Sequence, residues 1–475
     1  MMLLEAQHPT DTDRESTISL SFEGRFPFGI DQWAYVPFDV PAGVHRIDVS
    51  TSHERFSLLG VARNVLDLGI FGPAGHDLGN AAGFRGWSGG ARTGFSLSTR
   101  EATPGYLAGP IDPGRWTLAL GPVVLNPIGM SWQAEVTLHR GPQSASAANA
   151  ARVPLAEVIR GTGWYRGDLH VHTIHSDGCL PTGDVAAAAR SAGLDFVVST
   201  DHNTNSANRE WAGGVSDGLL IVAGEEVTTR HGHWLAVGLP PHGWVDWRYA
   251  PRDSVFASYV ADVQIHGGLV VVAHPSVPLP GSRWEFGYAG VDAVEVWNGK
   301  WNVDDEMSLR TWLRLMRSGH RITAVGSSDS HGPHQPIGRP HTVVYAEELS
   351  APGLVDALRR GRCYLAESRD ITVSLTCAVG DTTAGPGEIL VATEDDEVAI
   401  RGAVTGAPGT TVALITDTGC IARAAIDGSA AGEVTWTGRA ADFRFALIEV
   451  RHNSRTRMRP MAALTNPVWI TRRTA

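Results

Sequence analysis

Three histidines and two aspartates are grouped in residues 167–178, which read Gly-Asp-Leu-His-Val-His-Thr-Ile-His-Ser-Asp-Gly. His170 and His172 are two positions apart, so on an extended strand both side chains point to the same side. Asp177 comes five residues after His172, next to a glycine that can turn the chain back toward the two histidines. Two imidazoles and a carboxylate on one face form a set of metal ligands. Taken alone, this stretch has one alternative interpretation, a solvated histidine-rich loop.

More histidines and carboxylates follow apolar runs that are typical of β-strands. These residues are Asp201-His202, Glu225-Glu226, His231, His233, His274, Asp329 and His331. In barrel enzymes, functional groups gather at the carboxyl ends of parallel strands, and here most of the predicted strands end in a candidate ligand. Imidazole and carboxylate ligands suit Zn, Mn or Fe, and the lack of cysteine ligands argues against a purely structural zinc site. The candidates outnumber the ligands of one ion, so we expect two or three divalent metal ions, with Glu226 as the bridging carboxylate.

The elements that must position these residues are alternating strands and helices between about residues 160 and 368. Apolar runs predict strands at Asp168–His172, Phe196–Thr200, Leu219–Thr228, Trp234–Leu239, Leu269–Ala273, Ala293–Trp297, Ile322–Ser327 and Thr342–Tyr345. Helical patterns cover Thr182–Ala192, Asp253–His266, Asp304–Ser318 and Leu354–Arg360. This alternation predicts an α/β barrel or a layered sheet.

Short β-rich runs separated by Gly and Pro occupy both flanks of this region. In the first flank they are Thr17–Phe22, Val44–Ser50, Leu66–Phe71, Phe95–Thr99, Trp116–Leu120 and Trp132–Leu138; in the second they include Glu397–Val404, Thr411–Ile415 and Phe445–Val450. Such spacing predicts an antiparallel sandwich on each side. The expected organisation is a loose N-terminus (1–16), an N-terminal β-sandwich (17–140), a linker (141–159), a metallohydrolase barrel (160–368) and a C-terminal β-sandwich (369–475).

Composition excludes several classes of protein. The chain has 475 residues, 43% of them hydrophobic and 19% charged, which suits a soluble globular protein of two or three domains. A formal net charge of −11 argues against a surface that binds nucleic acid.

The four cysteines have no paired spacing, so we expect free thiols. No membrane span or signal peptide is visible, so the expected location is cytoplasmic and the expected partner is a small-molecule substrate. Association into a homo-oligomer remains open.

The ordered set of motifs resembles a known superfamily. His170-Val-His172, Asp177, Asp201-His202, Gly224-Glu-Glu226, His233, Ala273-His274-Pro275 and Asp329-Ser-His331 are similar in order and spacing to the successive motifs of the PHP (polymerase and histidinol phosphatase) superfamily. The resemblance covers about 200 residues. It implies an α/β fold with a distorted, TIM-like (β/α)7 barrel that carries a metal cluster at its strand ends.

The flanks resemble one branch of that superfamily, the carbaryl-hydrolase (CehA/McbA-like) metallohydrolases. The matching segments are Leu-Asp-Leu-Gly-Ile-Phe-Gly-Pro-Ala-Gly within 65–90, Arg85-Gly-Trp-Ser-Gly-Gly, Pro104-Gly-Tyr-Leu-Ala-Gly-Pro, Pro113-Gly-Arg-Trp and Leu464-Thr-Asn-Pro-Val-Trp-Ile. With both flanks, the resemblance covers most of the chain. The founding substrate of the branch, an aryl carbamate, transfers poorly from one member to another.

Carried over residue by residue, the resemblance implies nine metal ligands. They are His170, His172, Asp177, His202, Glu226, His233, His274, Asp329 and His331. Glu226 is preferred to Glu225 because the family pattern reads Gly-x-Glu-apolar. His233 is preferred to His231 because the residues that follow it match the family strand better. Asp201 is expected to support a ligand by accepting an imidazole N–H.

Residues near the ligands are candidates for catalysis and substrate binding. The catalytic candidates are His175, Asp177 and His331; His175 could donate a proton to a leaving group, or it could be an ordinary loop histidine. The substrate-binding candidates are Asn298, Lys300, His334 and Arg339, and Arg339 could clamp an anionic oxygen pair. Loop polarity or a structural ion pair is the alternative for these four residues.

The sequence therefore predicts a metal-dependent hydrolase. Hydroxide bound to the cluster would attack a phosphorus or carbonyl centre while the ions stabilise the developing negative oxygen. The superfamily resemblance favours phosphoesters, and the branch resemblance favours carboxylesters or carbamates; we place phosphoesters first. A non-catalytic binding or scaffold protein is the alternative from another class.

Overall fold

The computed structural model describes residues 16–29, 31–55, 64–125, 127–141, 160–214, 218–240, 242–428, 430–454 and 458–473. The predicted loose N-terminus (1–16) and linker (141–159) lie outside the described residues, except for positions 16 and 141. Contacts divide the chain into two compact units, Met1–Val153 with His175–Asp177, and Pro154–Ile174 with Gly178–Ala475. The described part is mixed α/β and rich in strands, as the sequence predicted. The finer division into three domains stays a prediction.

The first unit contains eight strands in the described residues: β1 (Ser16–Phe26), β2 (Ala34–Val40), β3 (Val44–His53), β4 (Val65–Phe71), β5 (Phe84–Gly89), β6 (Gly94–Ser98), β7 (Gly114–Val124) and β8 (Met130–Arg140). They form two antiparallel four-stranded sheets, β1-β8-β3-β6 and β2-β7-β4-β5. Residues of both sheets, such as Trp116 and Leu138, share one apolar core. The six strands that the sequence predicted are confirmed. β2 and β5 were missed because Pro37 and Gly86 interrupt their patterns.

The second unit begins with eight strands and five helices. The strands are β9 (Gly163–Val171), β10 (Phe196–Ser199), β11 (Leu220–Thr229), β12 (Gly232–Val237), β13 (Leu269–Val272), β14 (Ala293–Asn298), β15 (Thr323–Ser327) and β16 (His341–Ala346). The helices are α1 (Thr182–Ala192), α2 (Asn208–Gly214), α3 (Phe256–Ile265), α4 (Val303–Arg317) and α5 (Ala351–Arg359). All eight predicted strands and four predicted helices are confirmed, with ends that differ by a few residues. Only α2 was not predicted among these elements.

Strand order in the large sheet follows chain order from β15 back to β9, and β16 then pairs with β9. β9, β10 and β11 are parallel, as are β13, β14 and β15, whereas β12 runs antiparallel to both of its neighbours. A parallel bridge joins Val171, at the end of β9, to Ser330, after β15. Closure into a (β/α)7 barrel stays a prediction. The parallel order already places the carboxyl ends of six strands on one side.

The rest of the second unit is almost entirely β-structure: β17 (Cys363–Ala366), β18 (Thr372–Val379), β19 (Thr382–Ala384), β20 (Ile389–Ala392), β21 (Glu397–Thr405), β22 (Thr410–Thr416), β23 (Gly419–Ile426), β24 (Ala431–Arg439), β25 (Phe445–His452), β26 (Met461–Thr465) and β27 (Val468–Arg472). β19-β18-β21-β24 form a separate sheet. The large sheet continues from β16 through β17 into β26, β25, β22 and β23. Both sheets contribute to one core. The C-terminal strands are therefore continuous with the sheet that carries the candidate ligands.

Two further predictions from the sequence concern the cysteines and membrane-spanning segments. All four cysteines are free, as their spacing predicted. Among the described residues, the helices are too short or too polar to cross a lipid bilayer.

Candidate metal centre

The candidate ligands of the second unit lie at or just beyond the ends of neighbouring strands. They are His170 in β9, His172 directly after it, His202 after β10, Glu226 in β11, His233 in β12, His274 after β13, and Asp329 and His331 after β15. His274 and Asp329 have φ angles of 25° and 50°. Such left-handed backbone at non-glycine residues costs energy and is typical of functional sites. These residues therefore turn sharply out of the sheet at the point where their side chains meet the others.

The carboxylate of Glu226 lies at the centre of the candidate site. Glu226 is fully buried, and five imidazoles face its two oxygens. Oε2 lies 3.1 Å from His170 Nε2, 3.4 Å from His172 Nε2 and 2.8 Å from His202 Nδ1, and Oε1 lies 2.9 Å from His233 Nδ1 and 3.2 Å from His274 Nε2. Both oxygens of Glu226 thus face histidines, and its role as a bridging metal ligand stays a prediction.

Asp329 forms the second carboxylate of the site. Its Oδ1 lies 3.0 Å from His172 Nε2, 3.3 Å from His170 Nε2 and 3.6 Å from His331 Nδ1. Its Oδ2 accepts a hydrogen bond of 3.3 Å from the side-chain amide of Asn298. His170 and His172 thus lie between the two carboxylates, Glu226 and Asp329.

The hydrogen bonding of three buried atoms at the centre shows whether these residues fit a metal ion. His170 Nε2, Glu226 Oε2 and Asp329 Oδ1 lack a hydrogen bond of acceptable geometry within the described part of the chain. Nevertheless His170 Nε2 is only 3.1 Å and 3.3 Å from the two oxygens. Buried polar atoms without partners are costly, and a divalent cation between them would satisfy all three. The donor set therefore fits divalent metal ions.

In the second unit, four groups of side chains have potential ligand atoms, nitrogen or oxygen, that all lie within 4.8 Å of one another. They are His172, His202 and His331; His170, His172 and Asp329; Glu226, His233 and His274; and His170, His274 and Glu295. All eight predicted ligands that lie in the second unit are in these groups. The number of ions and the residues that contact them stay predictions.

The remaining predicted ligand, Asp177, and the catalytic candidate His175 lie in the segment His175–Asp177, which clusters with the first unit. His175 is buried, and its Nδ1 accepts a hydrogen bond of 3.3 Å from the backbone N–H of Gly105. The roles of both residues stay predictions.

The sequence left two choices of ligand, Glu225 or Glu226 and His231 or His233. In each pair the two residues have different surroundings. Glu225 Oε2 accepts the backbone N–H of Val245 at 3.0 Å, on the side of β11 away from Glu226. Burial and the nearby Asp246 raise the pKa of Glu225 well above its usual value, against the lowering effect of the Val245 hydrogen bond.

His233 and His231 differ because of strand register. In the β11–β12 ladder His233 pairs with Thr228, which places it diagonally across from Glu226 on the same face. His231 precedes β12, and its Nδ1 lies 2.8 Å from Glu285 Oε2, outside the candidate site.

Glu295 in β14 is a site residue that the sequence analysis missed. It is buried, and its Oε1 lies 3.2 Å from His170 Nδ1. Its Oε2 accepts hydrogen bonds of 2.9 Å from the backbone N–H of His274 and from the Asn298 amide. A carboxylate on one imidazole nitrogen leaves the other nitrogen oriented toward a metal. The sequence feature that could have indicated Glu295 is a single glutamate between Val294 and Val296 in a mostly apolar strand.

Asp168 also organises the site and was not singled out from the sequence. Its fully buried carboxylate accepts the backbone N–H groups of Ser328 at 3.0 Å, Gly338 at 2.8 Å and His170 at 3.3 Å. Burial raises the pKa of Asp168 to about 6, against the lowering effect of these hydrogen bonds. Asp168 thereby connects β9 to the segments that follow β15.

Asp201 was expected to accept an imidazole N–H. Its two oxygens accept hydrogen bonds of 2.8 Å from the backbone N–H and the hydroxyl of Thr173. These bonds hold the turn that follows His172. The expected imidazole contact stays a prediction.

The four predicted substrate-binding residues differ in their surroundings. Asn298 lies within the site, where its amide donates to Glu295 and Asp329. Lys300, His334 and Arg339 are exposed. Their contacts with a substrate stay predictions.

Electrostatics keep the two carboxylates ionised. Burial alone would raise the pKa of Glu226, but His202 and His170 outweigh it and hold that pKa well below its usual range. Burial is likewise outweighed at Asp329 by His170 and His172, which lower its pKa. Ionised carboxylates are the form that binds metal.

The pKa values of His170, in β9, and His172, directly after it, shift in opposite directions. Burial disfavours the charged form of His170, but Asp329 and Glu226 outweigh it and raise the His170 pKa well above its ordinary value. At His172, burial and neighbouring imidazoles lower the pKa to about 4. His172 is therefore neutral at physiological pH, as a metal ligand must be. At His170 a cation would replace the bound proton.

No protein-family model matches the chain, and no curated protein matches it. Among solved structures, the chain is similar to a two-domain protein from Bacteroides vulgatus that contains a predicted PHP-like metal-dependent phosphoesterase, with 17% identity and a TM-score of 0.37 over 66% of this chain and 95% of that chain. A protein from Bifidobacterium adolescentis, assigned as a metal-dependent phosphoesterase, has 21% identity and a TM-score of 0.29 over 40% of this chain and 94% of its own. An amidohydrolase from Chromobacterium violaceum has 20% identity and a TM-score of 0.28, over 36% of this chain and 89% of that one.

Proposed function

We propose that this chain is a metal-dependent hydrolase that uses two or three divalent ions. The observation that carries the proposal is the fully buried Glu226 carboxylate with five imidazoles around it and Asp329 beside two of them. A structural core has no need of so many ionisable groups, because each costs energy to bury unless it has a partner. The absence of cysteine from the set favours a catalytic site over a structural zinc site.

Each residue of the site has a definite task in this proposal. His170, His172, His202, His233, His274, His331, Glu226 and Asp329 would hold the ions, with Asp177 as the ninth ligand. When bound, divalent ions lower the pKa of water and stabilise negative charge that develops on substrate oxygens. Glu295 orients His170 through Nδ1, and the Asn298 amide fixes Glu295 relative to Asp329.

The finer assignment is to the PHP superfamily and its carbaryl-hydrolase branch, with Zn, Mn or Fe as the metal and a barrel as the fold. We place phosphoesters first among the substrates. Lys300 and Arg339 are exposed cationic side chains that follow β14 and β15, where an anionic substrate would benefit from them. His175 and His331 are the candidates for proton transfer to a leaving group.

Hydrolysis rates of the metal-loaded protein test this proposal. The substrates are p-nitrophenyl phosphate, bis-p-nitrophenyl phosphate and 1-naphthyl N-methylcarbamate. We expect phosphoester turnover that is lost in His233→Ala and retained in His231→Ala, a matched control whose imidazole pairs with Glu285. Turnover of the carbamate alone would overturn the phosphoester assignment. Absence of turnover on all three, with folded and metal-loaded protein, would favour a binding or scaffold role.

A further inference from the structure

A cavity lined by four arginines lies in the second unit, apart from the candidate metal centre. Its volume is about 490 Å³, and its arginines are Arg321, Arg359, Arg360 and Arg362; we call it the arginine cavity. Thr323, the first residue of β15, lines it, whereas Asp329 follows the other end of the same strand. Six residues of nearly extended chain span about 20 Å. The arginine cavity is therefore at the opposite end of β15 from the metal centre.

Three of the four arginines have acidic partners. Arg359 Nε lies 3.3 Å from Asp292 Oδ1, the Arg360 guanidinium 3.1 Å from Asp356 Oδ2, and the Arg362 guanidinium 3.3 Å from Glu388 Oε1. These pairs offset three of the four positive charges. They leave the fourth arginine as the source of net positive charge.

Arg321 is the arginine whose charge is not compensated. Among the described residues, it has neither an ion pair nor a hydrogen bond. Its guanidinium carbon lies 5.5 Å from the centre of the Trp469 ring, which lines the same cavity. Stacking on an aromatic face positions a guanidinium and leaves its five N–H donors available. A planar, permanently charged donor fork of this kind binds oxyanions in a bidentate manner.

The cavity is bounded by a rigid wall. Asn466 is fully buried, and its side chain accepts the N–H of Ala324 at 2.8 Å and donates to the Ala324 carbonyl at 2.9 Å and the Cys363 carbonyl at 3.2 Å. These bonds join β15 to β17. Trp469 is held from another side by an edge-to-face contact with Phe445, at 5.7 Å between ring centres. This part of the cavity wall therefore needs little rearrangement when a ligand binds.

We propose that the arginine cavity binds a small organic molecule with one phosphoryl group. One uncompensated guanidinium suits a single anionic group rather than a chain of phosphates. The volume exceeds that of an inorganic anion and matches an organic ligand. Ile322, Ala384 and Ile389 supply apolar surface for the rest of that molecule.

Calorimetric titration with phenylphosphonate tests the proposal, since its P–C bond resists hydrolysis. The titration uses the full chain as purified and again after chelation, so that binding at metal ions is recognised by its loss. We expect binding that persists after chelation and weakens at least about tenfold in Arg321→Gln, because a charge-assisted bidentate contact is removed. Arg310→Gln on α4 removes the same charge from an exposed position outside the cavity and serves as the control.

Three results would overturn the proposal. The first is no binding of phenylphosphonate by chelated protein that circular dichroism shows to be still folded. The second is equal binding by Arg321→Gln and the unchanged chain, with both folded as judged by circular dichroism. The third is Arg321-dependent binding to phosphatidate vesicles without binding of phenylphosphonate, which would assign the cavity to a lipid headgroup. Since the readout is binding to metal-depleted protein, failure here is distinct from failure of the hydrolase proposal.

Discussion

Glu226 and Glu225 are adjacent, equally buried and chemically identical, but their surroundings give them different roles. Glu226 faces five imidazoles and is ionised, because nearby histidines lower its pKa. Glu225 faces a backbone N–H, and burial raises its pKa well above its usual value. Opposite pKa shifts and different contacts make this pair a matched test of the metal site.

Replacing Glu226 by glutamine should weaken metal binding strongly, while Glu225→Gln should leave it nearly unchanged. Glu226→Gln removes the negative charge that offsets the cations, and outer-shell changes alone commonly cost about 10–100-fold in metal affinity. Glu225→Gln changes a side chain of the same shape that contacts the Val245 N–H and not the imidazoles. Competition with a chromogenic chelator measures both affinities. Equal losses in the two variants would show that Glu226 has no special relation to the metal.

Glu295→Gln should weaken metal binding by about 10–100-fold, because the amide polarises and orients His170 less well than a carboxylate does. Glu285→Gln is the control, since Glu285 pairs with His231 outside the site. The same chelator competition reports the effect. Unchanged affinity in Glu295→Gln, with unchanged turnover, would remove Glu295 from the candidate site.

At the scale of the element, local patterns in the sequence predicted the strands that carry ligands but not every residue on them. Apolar runs such as Phe196–Thr200 and Leu269–Ala273 are local features, and the strands formed close to their predicted bounds. Glu295 was missed because a single glutamate within a strand has no spacing pattern. The choice between His231 and His233 depends on the β11–β12 register, which arises from pairing of two segments.

His341, the first residue of β16, should make stability depend on pH in the acid range. It is buried, its Nδ1 lies 3.0 Å from the Gly338 carbonyl, and its Nε2 has no partner in the described residues. Burial lowers the pKa of His341 to about 4, from an ordinary value of 6.5. Its neutral state therefore contributes stability above pH 6.5 that is lost as pH falls toward 4, by at most about 3 kcal/mol.

His341→Asn tests this contribution, since an asparagine amide can still donate to Gly338 but does not titrate. Chemical unfolding between pH 7 and pH 4 should show a shallower loss of unfolding free energy in His341→Asn than in the unchanged chain. An identical slope would mean that the buried imidazole does not carry the acid sensitivity. Replacement of the exposed His320 by asparagine should leave the slope unaltered.

At the scale of the whole molecule, the large sheet runs without interruption from the ligand-bearing strands into the C-terminal strands. β17 pairs with both β16 and β26, and fully buried Asn466 joins β15 to β17. The sequence predicted a separate C-terminal sandwich because composition changes near residue 369. It could not show that β26 joins the same sheet, since pairing between segments about 100 residues apart has no local signature.

Metal removal should therefore destabilise the second unit, including its C-terminal strands, more than the first unit, because the second unit holds eight of the nine proposed ligands. A ligand that binds only the folded state raises the stability of the unit that holds it. Differential scanning calorimetry should resolve more than one transition, of which chelation lowers one. Glu226→Gln should already show the lowered transition before chelation. Equal shifts of all transitions, or none, would contradict this assignment.

The most direct test of the central claim is the metal content of the purified protein after exhaustive dialysis, measured by inductively coupled plasma mass spectrometry. The buried set around Glu226 and Asp329 predicts two or more ions of Zn, Mn or Fe per chain. Protein that contains no such metal, and takes up none when reconstituted, would contradict the assignment of these residues to a metal centre.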